Sequence, residues 1–228
     1  YLLGGTRAVS TAVADGIEDV VGDGSVTRIS GADRYATARM VADQVIFLEG
    51  PAYDGMAFVA TGENYPDALA AAPVARHNSW PLLLADPEGS LSIPNDVTSA
   101  VILGGESAVP AGIEAALHGK LGEANVIRKG ASDRYGTSAL IAAWSTSHGM
   151  YWEGAGIVTG TNFADALAGG AMLGSRRSLM LLTRGTALSP AARAPLSVNK
   201  EMIQTIHFIG GTNAVSQTVR DSVMTAIK

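Results

Sequence analysis

Two short blocks in this sequence carry side chains able to bind or pair with charge, and each occurs twice. Asp33-Arg34-Tyr35 is repeated as Asp133-Arg134-Tyr135. Each triplet follows a short apolar run and opens a segment with helical spacing. Asp33 and Asp133 are therefore placed to cap a first turn by accepting backbone N–H groups. Arg34 and Arg134 have two uses open to them: pairing with a neighbouring carboxylate, or reaching a ligand. The second block is Thr61-Gly62-Glu63-Asn64, matched by Thr159-Gly160-Thr161-Asn162-Phe163, with Asp67 and Asp165 shortly after. It lies at the carboxyl end of an expected strand, where open parallel sheets bind ligands. Asn64 and Asn162 suit a turn or cap. Asp67 and Asp165 fall in or near a first helical turn, where the dipole stabilises a carboxylate. A self-satisfied loop and a ligand loop share this pattern.

Other chemistry is sparse. A Gly-Gly pair ends an apolar run three times, at Gly4-Gly5, Gly104-Gly105 and Gly210-Gly211, and resembles half of a phosphate loop. The full dinucleotide and P-loop fingerprints are missing. Gly169 to Gly174 has the P-loop spacing, but Ser175 stands where lysine is required. There is no nucleophile elbow and no zinc-binding histidine helix. His77, His118, His148 and His207 are scattered without motif partners, and there is no cysteine. No catalytic residue, cofactor or metal is expected. The inventory suits a scaffold or binding surface better than an active site.

The elements that must carry these residues also repeat. Leu2–Val9, Ile102–Val109 and Phe208–Val215 match one another, and the Asp-Arg-Tyr blocks lie 100 residues apart. The chain divides into the C-terminal part of a preceding repeat (1–25) and two complete repeats (26–124 and 125–228). In the first repeat, strands are expected at Val26–Ser30, Met56–Ala60, Pro81–Ala85 and Ala100–Leu103. Helices are expected at Tyr35–Phe47, Pro66–His77 and Val109–Leu117. The second repeat keeps the order and adds a helix near Pro190–Met202, where the first, with Pro94, has room only for a turn. Alternating strands and helices imply parallel sheets covered on both faces. The expected fold class is α/β, as tandem small Rossmann-like or flavodoxin-like sandwiches.

The ordered set Arg28–Ala38, Ala60–Ala70, Pro81–Leu84 and Ile102–Gly105, followed by Ala108-Val109, resembles the cell-wall-binding repeat 2 family. The likeness runs through both repeats and the partial one. It implies a surface or secreted protein of Gram-positive bacteria, with repeats usually in threes and in a pseudo-threefold arrangement. Such a module holds its protein non-covalently on an anionic wall polymer, and any catalysis resides in a separate domain. The family's Ile-Leu-Leu strand, linked to anchoring, falls on Leu82-Leu83-Leu84 and Met180-Leu181-Leu182. These are read as buried strands that support the binding surface indirectly.

Composition sets the outer limits. The 228 residues are 47% hydrophobic and 16% charged, which excludes disorder and a long charged coiled coil. The longest apolar stretch, Ala68–Ala75, contains Pro73 and is far short of the roughly 20 residues of a membrane span. Residues 1–120 hold 6 Lys+Arg and 15 Asp+Glu, while residues 121–228 hold 10 and 6. An acidic first half is a poor nucleic-acid binder. A polyanion would instead meet Arg34, Arg134, Arg128, Lys129, Arg176 and Arg177 at the junction between repeats and on the basic half, several weak contacts adding through effective concentration. Two other classes stay open: a small-molecule or nucleotide-binding α/β enzyme domain, with a pocket beside Asn64/Asp67 or Asn162/Asp165, and a self-assembling surface-layer protein. Tyr1–Gly5 is expected to pair with a complete repeat, or else the chain self-associates, because a bare strand exposes its edge. A missing third repeat or a homo-oligomer would satisfy the same need.

Overall fold

The computed structural model describes residues 1–162 and 164–228; Phe163 of the second motif lies outside them. Chain order is β1 (Leu2–Leu3), α1 (Thr11–Val21), β2 (Arg28–Ile29), α2 (Arg34–Glu49), β3 (Met56–Thr61), α3 (Pro66–Asn78), β4 (Leu82–Ala85), β5 (Ser99–Leu103) and α4 (Ala111–Leu121). It continues with β6 (Val126–Lys129), α5 (Arg134–Ser145), β7 (Tyr151–Thr159), α6 (Ala164–Ser175), β8 (Ser178–Thr183), α7 (Pro190–Val198), β9 (Thr205–Ile209) and α8 (Gln217–Ala226). The expected elements all form. The extra helix of the second repeat is α7, and the matching stretch around Pro94 stays non-helical.

All strand pairs are parallel. The first repeat's sheet runs β4-β3-β5-β6, the second's β8-β7-β9, and β1 pairs with β2. The sequence period and the sheets are therefore out of step by one strand. Although β6 opens the second sequence repeat, its Ile127 and Arg128 lie beside Val101 and Ile102 of β5. In the same way Leu2 and Leu3 pair with Arg28 and Ile29, which gives Tyr1–Gly5 the neighbour it needed. Each leading strand is donated backwards to the preceding unit.

Alternation along the central strands feeds two cores. Phe58, Ala60, Val101 and Leu103 face inward to a core shared with the second repeat. Ala57, Val59, Ala100 and Ile102 face outward, beneath Ile113 and Leu117 of α4. Leu83 is buried on that outer side, Leu82 and Leu84 are half-buried on the inner one, and Met180-Leu181-Leu182 are wholly buried. The inner seam is α3 against α6. A Cβ on Gly170 would lie 2.6 Å from Ala72 Cβ, and one on Gly174 would lie 2.5 Å from the Pro73 carbonyl oxygen. Gly170 and Gly174, in the stretch whose spacing resembled a phosphate loop, are thus helix-interior residues that let two helices touch, while Gly169 packs on Ile209 of β9, where a Cβ would lie 2.7 Å from its Cγ2. Phe58, Trp80 and Trp144 close the seam at the amino edge of the strands, with ring centroids 5.7–6.0 Å apart. No helix among the described residues is long and apolar enough to cross a membrane.

Candidate functional site

The two repeated motifs are built against each other. Asp33 and Asp133 cap α2 and α5, accepting from the amides of Ala36 and Gly136 at 2.7 Å, as their position predicts. Arg34 donates to the Gly62 carbonyl, and Arg134 to the Gly160 carbonyl at 2.6 Å. Tyr35 lies on Gly62 so closely that a Cβ there would come 2.2 Å from its ring; Gly160 meets Tyr135 at 2.9 Å. The motif arginine and tyrosine thus grip the glycine turn of their own repeat. Tyr35 also donates to Glu63 at 2.8 Å, and this bond raises the phenol's pKa, with burial adding to it. Asn64 and Asn162 are exposed on the loop, and Asn162 accepts from the Ala164 amide at 3.3 Å.

The third motif covers the aspartates of the second. Gly104 and Gly210 have φ of +100° and +105°, and a Cβ on either would lie 2.5 Å from Oδ2 of Asp67 or Asp165. Only glycine tolerates that backbone at no steric cost. Asp67 Oδ1 is buried without a hydrogen-bond partner. Burial pushes its carboxyl above the ordinary range, offset in part by the Thr137 hydroxyl and the Arg134 charge.

An arginine secures each Gly-Gly turn. Arg128 donates to the carbonyls of Gly104 and Val109 and to Glu114, all at 3.0 Å. Arg28 donates to Gly4 O at 2.6 Å, but Ala14 stands where Glu114 stands one repeat later, and its second amino group is buried unpaired. In the second repeat Arg220, at the position equivalent to Glu114, donates to Gly210 O at 2.8 Å and Val215 O at 3.0 Å. The same two carbonyls are served from within the repeat. Charge type at this position, Ala14/Glu114/Arg220, is the signal that sequence reading passed over.

Two clefts result, each between the Gly-Gly turn of one unit and the Asp-Arg-Tyr loop of the next, at the carboxyl edge of the strands. The first, about 610 Å³, is lined by Gly4–Ala8, Gly31–Arg34 and Leu84 among others. The second, about 450 Å³, is lined by Glu63, Asn64, Asp67, Asp86, Ser107, Asp133 and Arg134 among others. The structure thus brings Arg34 to one cleft and Arg134 to the other. Arg128 is half-buried behind the second, its guanidinium committed to the turn. Lys129 ends β6 and is half-buried. Arg176 and Arg177 lie elsewhere, exposed where α6 returns to the amino edge of the sheet. Arg177 stands 5.9 Å from the Tyr151 ring. Burial, then the charges of Arg177 and Arg76, holds the nearby His77 below its ordinary pKa.

The profile of the cell wall binding domain 2 family matches residues 28–114 and 128–220. The chain belongs to that family. Its matches start at the turn-securing Arg28 and Arg128, and the second ends on Arg220. This CWB2 chain is 28% identical over 97% of its length to the amidase enhancer of Bacillus subtilis, covering 29% of that protein. It is 27% identical over 97% of its length to the N-acetylmuramoyl-L-alanine amidase LytC of the same organism, covering 42% of it. The chain therefore spans less than half of the curated relatives it matches. Cwp8 from Clostridium difficile superposes over the whole chain and 38% of its own, with a TM-score of 0.83 at 19% identity, which fixes the α/β architecture as shared.

Proposed function

We propose that this chain is a non-catalytic anchoring module that holds its parent protein on an anionic wall polymer, outside the cell. The observation that carries the reading is the recurrence, at both unit junctions, of a cleft between a Gly-Gly turn and an Asp-Arg-Tyr loop, with a motif arginine in its lining. A polymer with repeated charge would meet repeated clefts, and weak contacts would add along it. Membership of a wall-binding family supports the partner, and relatives named for amidase action or its enhancement support attachment beside wall chemistry. Residues 1–25, 26–124 and 125–228 act as the units of the array. Arg34 and Arg134 remain the leading polymer contacts, with Lys129, Arg176 and Arg177 as outlying ones; Arg128 serves the turn.

Cosedimentation with purified walls, before and after acid extraction of the anionic polymers, tests this directly. Retention should vanish with the polymer and fall as salt rises, since exposed charge pairs are screened over about 8–10 Å at physiological ionic strength. Retention unchanged by extraction would refute the anionic partner. One observation also favours a packing partner beyond these two repeats. Helix α1 exposes Val13 and Ile17, at 49% and 40%, where α4 buries Ile113 and Leu117 completely. A further repeat would cover that face.

A further inference from the structure

We propose that the second repeat carries a binding site for a neutral sugar ring, in a cavity at the amino edge of its sheet, between Tyr151 and the loop from α7 to β9. The choice of a sugar rests on the wall-binding reading above, while the cavity stands on its own geometry. It measures about 490 Å³, and every residue lining it lies between Thr146 and Gln204, inside one complete repeat. It shares no residue with either junction cleft. Its volume falls within the roughly 300–1,000 Å³ of small-ligand sites.

Two features peculiar to the second repeat build it. Strand β7 bulges: Tyr151 pairs with Ser178 and Ala155 with the next residue, Leu179, so Trp152, Glu153 and Gly154 stand unmatched on that side. A bulge re-aims the side chains it carries. Helix α7, which the first repeat lacks, then delivers the loop 199–204 beside the bulge, where the Gln204 amide donates to the Glu153 carbonyl at 2.9 Å. Trp152 is buried, whereas Tyr151 and Met202 stay 46% and 50% exposed. The first repeat closes the same place. Tyr53, at the position of Tyr151, is half-buried and donates to the Met56 carbonyl at 2.8 Å. Asp54 beside it accepts from the Trp80 indole at 2.9 Å. In the second repeat the Tyr151 hydroxyl, the Glu153 carboxylate and the Gln204 carboxamide have no hydrogen-bond partner among the described residues, and all three residues are exposed.

That set matches a sugar. A pyranose offers an apolar C–H face to an aromatic ring and hydroxyls around its rim, to which carboxylates act as acceptors and carboxamides as both donors and acceptors. Glu153 and Glu201 line the cavity and oppose an anion. Arg177, 5.9 Å from the Tyr151 ring, and Lys200, 4.0 Å from Glu201, balance their charge, so a cation gains no net attraction there.

The test is NMR titration of the whole chain with chitotetraose, a neutral N-acetylglucosamine oligomer, and with its deacetylated, cationic counterpart, for wild type, Y151A and Y151F. Cosedimentation of wild type with intact and acid-extracted walls runs alongside. Chitotetraose should move the amide signals of Tyr151, Glu153 and Met202 saturably in wild type. Binding should weaken about tenfold in Y151A, through loss of the ring's contact, and stay near wild type in Y151F, which keeps the ring. Absent shifts, shifts confined to other residues, tighter binding of the cationic oligomer, or a folded Y151A that binds like wild type each overturns the sugar site. The anchor still stands in those cases if wall retention depends on the polymer. Retention that ignores extraction, with the sugar shifts intact, overturns the anionic partner and leaves the site.

Discussion

At the scale of single residues, the motifs act on the backbone first. Asp67 lies under a turn that only glycine can form, with Oδ1 unpaired and its pKa raised by burial. The folded carboxyl keeps its proton to higher pH than the unfolded one, so folding binds a proton between the two values. Stability therefore falls as pH rises through that interval. Asp67→Asn should flatten the fall, as read by urea denaturation across acidic pH. Gly104→Ala should cost about 1–3 kcal/mol through backbone strain and a methyl pressed against Asp67, seen as a lowered thermal midpoint. Arg220→Ala removes two charged hydrogen bonds to carbonyls and should cost about 1–3 kcal/mol. Arg128→Ala should cost more, because it also strips Glu114 of its partner. These roles were half legible. Cap positions follow from Asp before an apolar-periodic run, whereas the arginine-to-carbonyl bonds join residues up to 28 apart and leave no local pattern.

At the scale of elements, burial separates positions that the repeat makes equivalent. Ile113→Ala in α4 should cost about 2–5 kcal/mol. Val13→Ala in α1 should cost about 0.5 kcal/mol or less in this chain, as expected of an exposed position. Parallel chemical denaturation of the two variants would show it. The α3–α6 seam should also be sensitive, to added volume rather than lost volume. Gly174→Ala drives a methyl into the Pro73 carbonyl, and overpacking of this kind costs about 1–3 kcal/mol. Element type and order were legible because the apolar periods are strong and each occurs twice. The function of Gly169–Gly174 was not, since the glycine spacing of a loop and of a tightly packed helix look alike until the strand and helix opposite it are known.

At the scale of the molecule, the backward donation of leading strands decides what can fold alone. A fragment spanning 33–132 retains β6 against β5, and one ending at 124 leaves that edge bare. The longer fragment should be the more stable and the less aggregation-prone, by thermal denaturation and light scattering. Sequence by itself determined the α/β class, the repeat, the parallel strands and the caps, because these rest on local periodicity and on motifs read twice. Tertiary structure decided which unit owns each strand, how the motif arginines are used, and where the clefts lie. Those depend on residues far apart in the chain, Arg7 with Arg34 and Glu63 with Asp133, whose proximity is created only when one unit's turn closes over the next unit's loop.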